Sequence, residues 1–257
     1  MTKIGLGLSG GGARGVAHLG AMQALIEAGI KPNIISGVSS GAIIGTLFAC
    51  GMSPKEIFET LSKTNLFRYL RPAWSRFGFL NVERFIPVYE NYLPCKTFEE
   101  LSIKLIISAT DIVEGKTIYF SEGSILEPLL ASTCMPVLFA PMEYKGNMLV
   151  DGGTLNNLPV EPLIGTSDLI IGLHCNPTNR DFRTRSIKSI IERTFHLSVK
   201  MNVIDRIKYC DIFIEPPGLV DYGIFEISKA KEIYELGYKH GQQVIQNSEY
   251  ILRKYKL

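Results

Sequence analysis

Three short stretches of this chain carry residues whose types and spacing suit acyl transfer. Gly37-Val-Ser-Ser-Gly41 is a Gly-x-Ser-x-Gly pentapeptide between an apolar strand-like run and an apolar helix-like run. A serine on so tight a strand-to-helix turn is lifted clear of both elements, its hydroxyl near the amides of a helix N-terminus. Gly37 and Gly41 keep side chains out of the crowded space around it. Ser39 is therefore the candidate nucleophile. Gly7-Leu-Ser-Gly-Gly-Gly-Ala-Arg-Gly15 places consecutive glycines between a strand and a helix, so that their N–H groups can converge on an anion at the positive end of a helix dipole. Such a nest would hold the oxyanion of a tetrahedral intermediate, at roughly 3–4 kcal/mol per donor. Arg14 either adds positive charge nearby or pins the loop. In Leu149-Val-Asp-Gly-Gly153, Asp151 ends a strand and is placed to take a serine proton. An aspartate of ordinary pKa is a weak base, so this role needs short geometry and partial desolvation.

The elements that must position these residues follow from apolar patterning. Lys3–Leu8 reads as a strand, followed by the glycine loop and a helix over Val16–Ala28 that Gly29 closes. Asn33–Ser36 leads up to the serine turn and Ala42–Ala49 leads away from it as a helix. Ser53-Pro-Lys-Glu56 is a capping box with proline at the first helical position, predicting a helix to about Ser62. Lys104–Thr110 and Lys116–Phe120 pair across Glu114-Gly115, and Met142–Tyr144 and Met148–Val150 pair across Lys145-Gly-Asn147. Leu169–His174 and Asp211–Glu215 are further buried strands, while Ile187–Tyr209 and Ser228–Asn247 carry helical periodicity. Strands alternating with helices at this spacing predict a mostly parallel sheet covered on both faces.

A fourth segment, Ala131-Ser-Thr-Cys-Met-Pro-Val-Leu-Phe-Ala-Pro141, lies just ahead of Asp151, and two prolines hold it as an apolar loop. The four pieces, in this order, resemble the patatin-like phospholipase family. Its signatures are a Gly-Gly-Gly-x-Arg/Lys-Gly loop, a Gly-x-Ser-x-Gly elbow, an Ala-Ser-…-Pro-…-Phe-x-Pro segment and an Asp-Gly-Gly/Ala, which stand here at 10–15, 37–41, 131–141 and 151–153. The match runs from about residue 3 to 165, and Asn156–Pro159 also looks like the family; Phe225 and Gly237-Tyr are compatible with small bacterial members. The resemblance implies a three-layer α/β/α fold with a mostly parallel central sheet and a Ser39–Asp151 dyad without histidine. It also implies an oxyanion hole from Gly10, Gly11 and Gly12, supported by Arg14, Gly37, Gly41, Gly152 and Gly153. The substrate implied is a fatty-acyl ester of a phospholipid or lysophospholipid. Acyl-CoA thioesters fit the same machinery, and a lipid-binding or regulatory module without turnover is the reading from another class. No cofactor is expected, and calcium is not required by this chemistry.

Other readings of the same residues are weaker. Gly10-x-Gly12-x-x-Gly15 after a strand also fits a dinucleotide loop, but Lys31–Ser36 offers no acid for a ribose. Ser39, Asp151 and His174 follow the order of an α/β-hydrolase triad, yet His174 ends an apolar strand and reads as a core or rim histidine. His18, His196 and His240 read as helix-face residues, and Asp111 remains an alternative base. No spacing of Cys, His and carboxylates suggests a metal. The 257 residues suit one domain, and 46% hydrophobic with 20% charged residues is ordinary globular composition. A net charge of +2 gives no basis for nucleic-acid binding. The five scattered cysteines read as reduced thiols, and a first strand beginning at Lys3 leaves no room for a signal peptide; both fit a cytoplasmic protein. Residues 67–80 contain three arginines, five aromatics and no acid. Within a segment at 64–82 they suit a lid over the acyl pocket, a transient membrane contact or a dimer contact. The sequence leaves the oligomeric state open.

Overall fold

The computed structural model describes residues 2–63, 81–136, 138–178 and 187–256. The 64–82 segment lies outside the described residues except for its last two, and Trp74 lies outside with it.

Among the described residues, eight strands form one mixed, mostly parallel sheet. β1 (Ile4–Leu8), β2 (Ile34–Gly37), β3 (Lys104–Asp111), β7 (Leu169–Leu173) and β8 (Ile212–Ile214) run parallel. β4 (Lys116–Phe120), β5 (Met142–Tyr144) and β6 (Asn147–Asp151) join antiparallel, as the short β3–β4 and β5–β6 connections require. The order is β5-β6-β3-β2-β1-β7-β8, with β4 on β3 as well.

Period-2 burial divides the sheet between two layers. Leu6, Leu8, Ile35, Ile107 and Ile171 point into the larger core, beneath α1 (Val16–Glu27) and α2 (Ser40–Ala49). Ile34, Ile106 and Ile170 point to the other face, beneath Leu158, Val160 and Val203 of α6 (Ile187–Ile207). The capping box forms as the spacing predicts: Ser53 N–H donates to Glu56 Oε2 at 2.8 Å and Glu56 N–H donates to Ser53 Oγ at 3.3 Å, opening α3 (Pro54–Lys63). α7 (Ala230–Asn247) packs along α1, and α8 (Glu249–Lys254) follows it.

Three short helices among the described residues were not anticipated: α4 (Ile86–Tyr92), α5 (Leu126–Ser132) and α8. The second takes in Ala131 and Ser132, so the expected 131–141 loop begins as the end of a helix. Leu129, Leu130 and Ala131 are all buried, which leaves no one-sided apolar period to read. No helix among the described residues is long and apolar enough to cross a membrane.

Candidate active site

β3 acts as a ruler for the site. Gly37 of β2 pairs with Ile107, and Asp151 of β6 pairs with Ala109, two residues further along the same strand. The end of one strand and the end of another thus meet, although 112 positions separate Ser39 from Asp151 in sequence (151 − 39).

Ser39 turns sharply at the top of β2, with φ 53° and ψ −124°. A left-handed φ at a non-glycine residue costs roughly 1–3 kcal/mol, held here by its surroundings. The Ser39 carbonyl accepts from the amides of Ala42 and Ile43 at 3.0 and 3.2 Å, starting α2, while its own N–H donates to Ser132 Oγ at 2.8 Å. Gly41 is required by contact: a Cβ there would stand 2.5 Å from the Leu8 carbonyl oxygen.

Asp151 is 4% exposed. Its N–H donates to the Cys134 carbonyl at 2.8 Å, and its Oδ1 accepts from the Gly153 amide at 2.8 Å. The Ser39 hydroxyl lies near enough to the carboxyl to lower its pKa, and the two residues line the same cleft. Burial pushes the carboxyl up to about 6; the Ser39 hydroxyl and the Gly153 amide oppose that rise. A carboxylate so placed is a better proton acceptor than a solvated aspartate and is still mostly ionised at neutral pH.

The glycine loop lies against this pair, and Gly10, Gly11, Gly12, Ser39 and Asp151 line one small cleft. The Gly10 amide is engaged, donating to Asn157 Oδ1 at 3.2 Å. Among the described residues the amides of Gly11 and Gly12 meet no protein acceptor. Two of the three expected donors therefore remain open to a ligand. Arg14 is buried and its Nε donates to the Tyr222 carbonyl at 2.6 Å, which is the pinning role of the two considered. Ala13 N–H donates to the Ile224 carbonyl at 2.8 Å, so the loop is held from behind by residues 222–224.

Beside the cleft opens an apolar cavity of about 190 Å³, walled by Ile43, Phe58, Leu61, Phe85, Met135 and Phe139 among others. Ser39, Gly12, Met135 and Ile224 line both spaces, so the serine stands where polar cleft and apolar cavity join.

The alternative bases are occupied elsewhere. Asp111 accepts from the Val113 and Glu114 amides at 2.9 and 3.3 Å and closes the β3–β4 turn. His174 bonds Glu215 through Nδ1 at 2.5 Å and stacks on Phe213. His18 Nε2 lies 2.9 Å from the Ser9 carbonyl, and burial lowers its pKa to about 4. His240 is on α7, and the His196 side chain lies outside the described residues. Sequence reasoning missed the amide side chains around the site. Asn202 of α6 accepts from Asn157 N at 3.0 Å and donates to the Gly153 carbonyl at 3.2 Å. Isolated asparagines carry no spacing signal; only Asn157 fell within a stretch the resemblance had marked.

A mostly parallel sheet between helical layers, with a serine raised on a strand-to-helix elbow, defines a layered α/β protein. More particularly, the chain belongs to the patatin-like phospholipase family, whose model matches residues 6–164. It is 34% identical over 177 residues to an uncharacterized NTE family protein of Mycobacterium tuberculosis, covering 68% of this chain and 49% of that one. It is 27% identical over 282 residues to Lysophospholipase NTE1 of Saccharomyces cerevisiae, covering 95% of this chain and 16% of that one. The chain thus spans about half the length of the first relative and a small part of the second. The crystal structure of VipD from Legionella pneumophila shares the fold at a TM-score of 0.55 and 18% identity, covering 96% of this chain and 67% of that one.

Proposed function

We propose that this protein hydrolyses fatty-acyl esters of phospholipids or lysophospholipids, with Ser39 as nucleophile and Asp151 as base. One observation carries the reading: Ser39 and the buried Asp151 carboxyl line one glycine-walled cleft, and Ser39 stands where that cleft joins an apolar cavity. The cavity suits an acyl chain, and the cleft suits the ester group and its leaving alcohol.

Ser39 Oγ attacks the acyl carbonyl as its proton passes to Asp151. The carbonyl oxygen becomes an oxyanion facing the open amides of Gly11 and Gly12. Collapse breaks the ester C–O bond, and the leaving oxygen takes the proton from Asp151. A water then gives a proton to Asp151 and attacks the acyl-enzyme; collapse frees the fatty acid and returns the proton to Ser39. The lysophospholipase name of the fungal relative supports the substrate class.

The test is a fluorophosphonate probe with a panel of phospholipid, lysophospholipid and acyl-CoA substrates. Wild type should label and release fatty acid from the glycerolipids, and Ser39→Ala should do neither. Absence of labelling and turnover in folded wild type would leave a lipid-binding module instead. Turnover confined to acyl-CoA would move the substrate to thioesters.

A further inference from the structure

The peptide between Gly10 and Gly11 is the least constrained kind in a protein. It is flanked by two residues without Cβ, so neither side resists rotation of its plane. Its orientation nevertheless decides the chemistry. The peptide is trans, as are all described peptides, so the Gly10 carbonyl and the Gly11 N–H point in opposite directions. One orientation offers a donor to an oxyanion; the flipped one offers a carbonyl oxygen that repels it.

Three side-chain groups hold the Gly10 carbonyl. Asn176 Nδ2 donates to it at 2.6 Å, Cys175 Sγ at 3.3 Å and Asn157 Nδ2 at 3.4 Å. The Gly10 amide is fixed too, by Asn157 Oδ1. Asn176 and Asn157 are 7% and 3% exposed, and Cys175 is fully buried. The Asn176 contact is the shortest of the three and comes from a neutral amide, which donates without bringing a charge beside a developing oxyanion. The space behind the loop is also tight: a Cβ on Gly11 would lie 2.4 Å from Cys175 Sγ.

We propose that Asn176, assisted by Asn157, is a positioning residue that locks the Gly10–Gly11 peptide so that the Gly11 N–H faces the reacting carbonyl. The proposal rests on the acyl-hydrolase reading above and names residues that sequence reasoning had not singled out as part of the site. Asn176 also lines the cleft, and the role assigned to it is exerted through the peptide it holds.

The test compares wild type, Asn176→Asp and Asn176→Ser on a soluble p-nitrophenyl acyl ester, with inhibition by a long-chain alkyl trifluoromethyl ketone as second readout. Asp keeps the shape of Asn but puts an acceptor against the carbonyl, while Ser keeps a shorter donor. For Asn176→Asp we expect kcat to fall about ten- to a hundred-fold with KM within about twofold, since one misaligned donor acts on the transition state alone. The inhibition constant of the ketone, which forms a tetrahedral adduct on Ser39, should rise by the same factor. Asn176→Ser should fall between the two. A folded Asn176→Asp with unchanged kcat overturns the proposal, as does a kcat loss without loss of ketone affinity. If Asn176→Asp does not fold, Asn176→Ser decides by the same two readouts, with Asn157→Ser in support. Ser39→Ala is the control: hydrolysis that survives it sinks the acyl-hydrolase reading itself, whereas Ser39-dependent turnover indifferent to Asn176 sinks only the clamp.

Discussion

Residues 6–164 and residues 165–256 contribute to the site in different ways. The first region holds every group proposed to react: Ser39, Asp151 and the glycine loop. The second brings Cys175, Asn176, Asn202, Tyr222 and Ile224 against the back of that loop and against Gly153. The proposed chemistry sits on one stretch of chain, and part of the geometry that would aim it is supplied by the other. The two kinds of residue should fail differently. Changes to the proposed reacting side chains of the first region should abolish turnover and can even stabilise the protein. Changes in the second should misalign or unfold it.

Asp151→Asn gives the largest contrast. Turnover should fall about 10³-fold, the usual scale for losing a general base. Stability should move the other way. The folded-state pKa is raised from 3.8 to about 6, so the native state holds this proton more tightly than the unfolded chain. Its favourable contribution is complete below the unfolded value and is lost as pH rises through about 6; above that, a buried ionised carboxylate weighs against the fold. Asparagine removes the charge while keeping an oxygen for the Gly153 amide. The variant should therefore be more stable than wild type by up to about 3 kcal/mol above pH 6, with the gap closing below pH 4. Urea titrations at pH 4 and pH 8 read the difference, and an equal or less stable variant at pH 8 contradicts it. Wild-type kcat/KM should fall as pH drops through the same midpoint near 6, because the base is then protonated.

Ser132→Ala tests the bracket within the first region. Ser132 Oγ accepts the Ser39 N–H, and two residues on the Cys134 carbonyl accepts the Asp151 N–H. One short segment at the end of α5 thus ties down both residues proposed to react. Losing the hydroxyl leaves the elbow amide without its acceptor, worth about 1–3 kcal/mol, and frees a backbone already held at positive φ. We expect kcat to fall about tenfold with little change in KM. An unchanged kcat would mean that the elbow is held by the Ala42 and Ile43 amides alone.

The same division governs what could be read in the sequence. The elbow, the glycine loop and Asp-Gly-Gly are contiguous strings, because each needs a local backbone shape that only certain residues permit, and the strands and helices beside them follow from apolar period. Ser132 stood in a recognised stretch, but its bond to Ser39 depends on α5, whose seven residues are too buried to show a period. Asn176 and Asn202 had no local signal at all: each is one amide whose meaning arises only when β7, α6 and the glycine loop meet. Arg253 and Lys254 at the end of α8 are exposed, yet the helix also buries Leu252. A single buried residue in a basic run is below what periodicity can detect.

The smallest effect on chemistry, and the cleanest separation of the two regions, is expected from Gly237→Ala. Gly237 lies on α7 where it crosses α1, and a Cβ there would stand 2.0 Å from the Ala17 carbonyl oxygen. Gly20 faces the same crossing from α1, where a Cβ would stand 2.1 Å from the Tyr234 carbonyl oxygen. Both obstacles are backbone, so the helices must separate to admit a methyl group, at about 1–3 kcal/mol. At roughly 2–4 °C per kcal/mol for a chain of this size, the melting midpoint should fall by about 2–12 °C. The crossing contains neither Ser39 nor Asp151, and the clamp on Gly10 comes from residues 157, 175 and 176. At 20 °C the folded variant should keep kcat within about twofold and the same pH midpoint, since nothing that shifts Asp151 has changed. A collapse of kcat at a temperature where the variant is fully folded would show that α1 transmits its position to the glycine loop, and the boundary between reacting and supporting regions would have to be redrawn through α1.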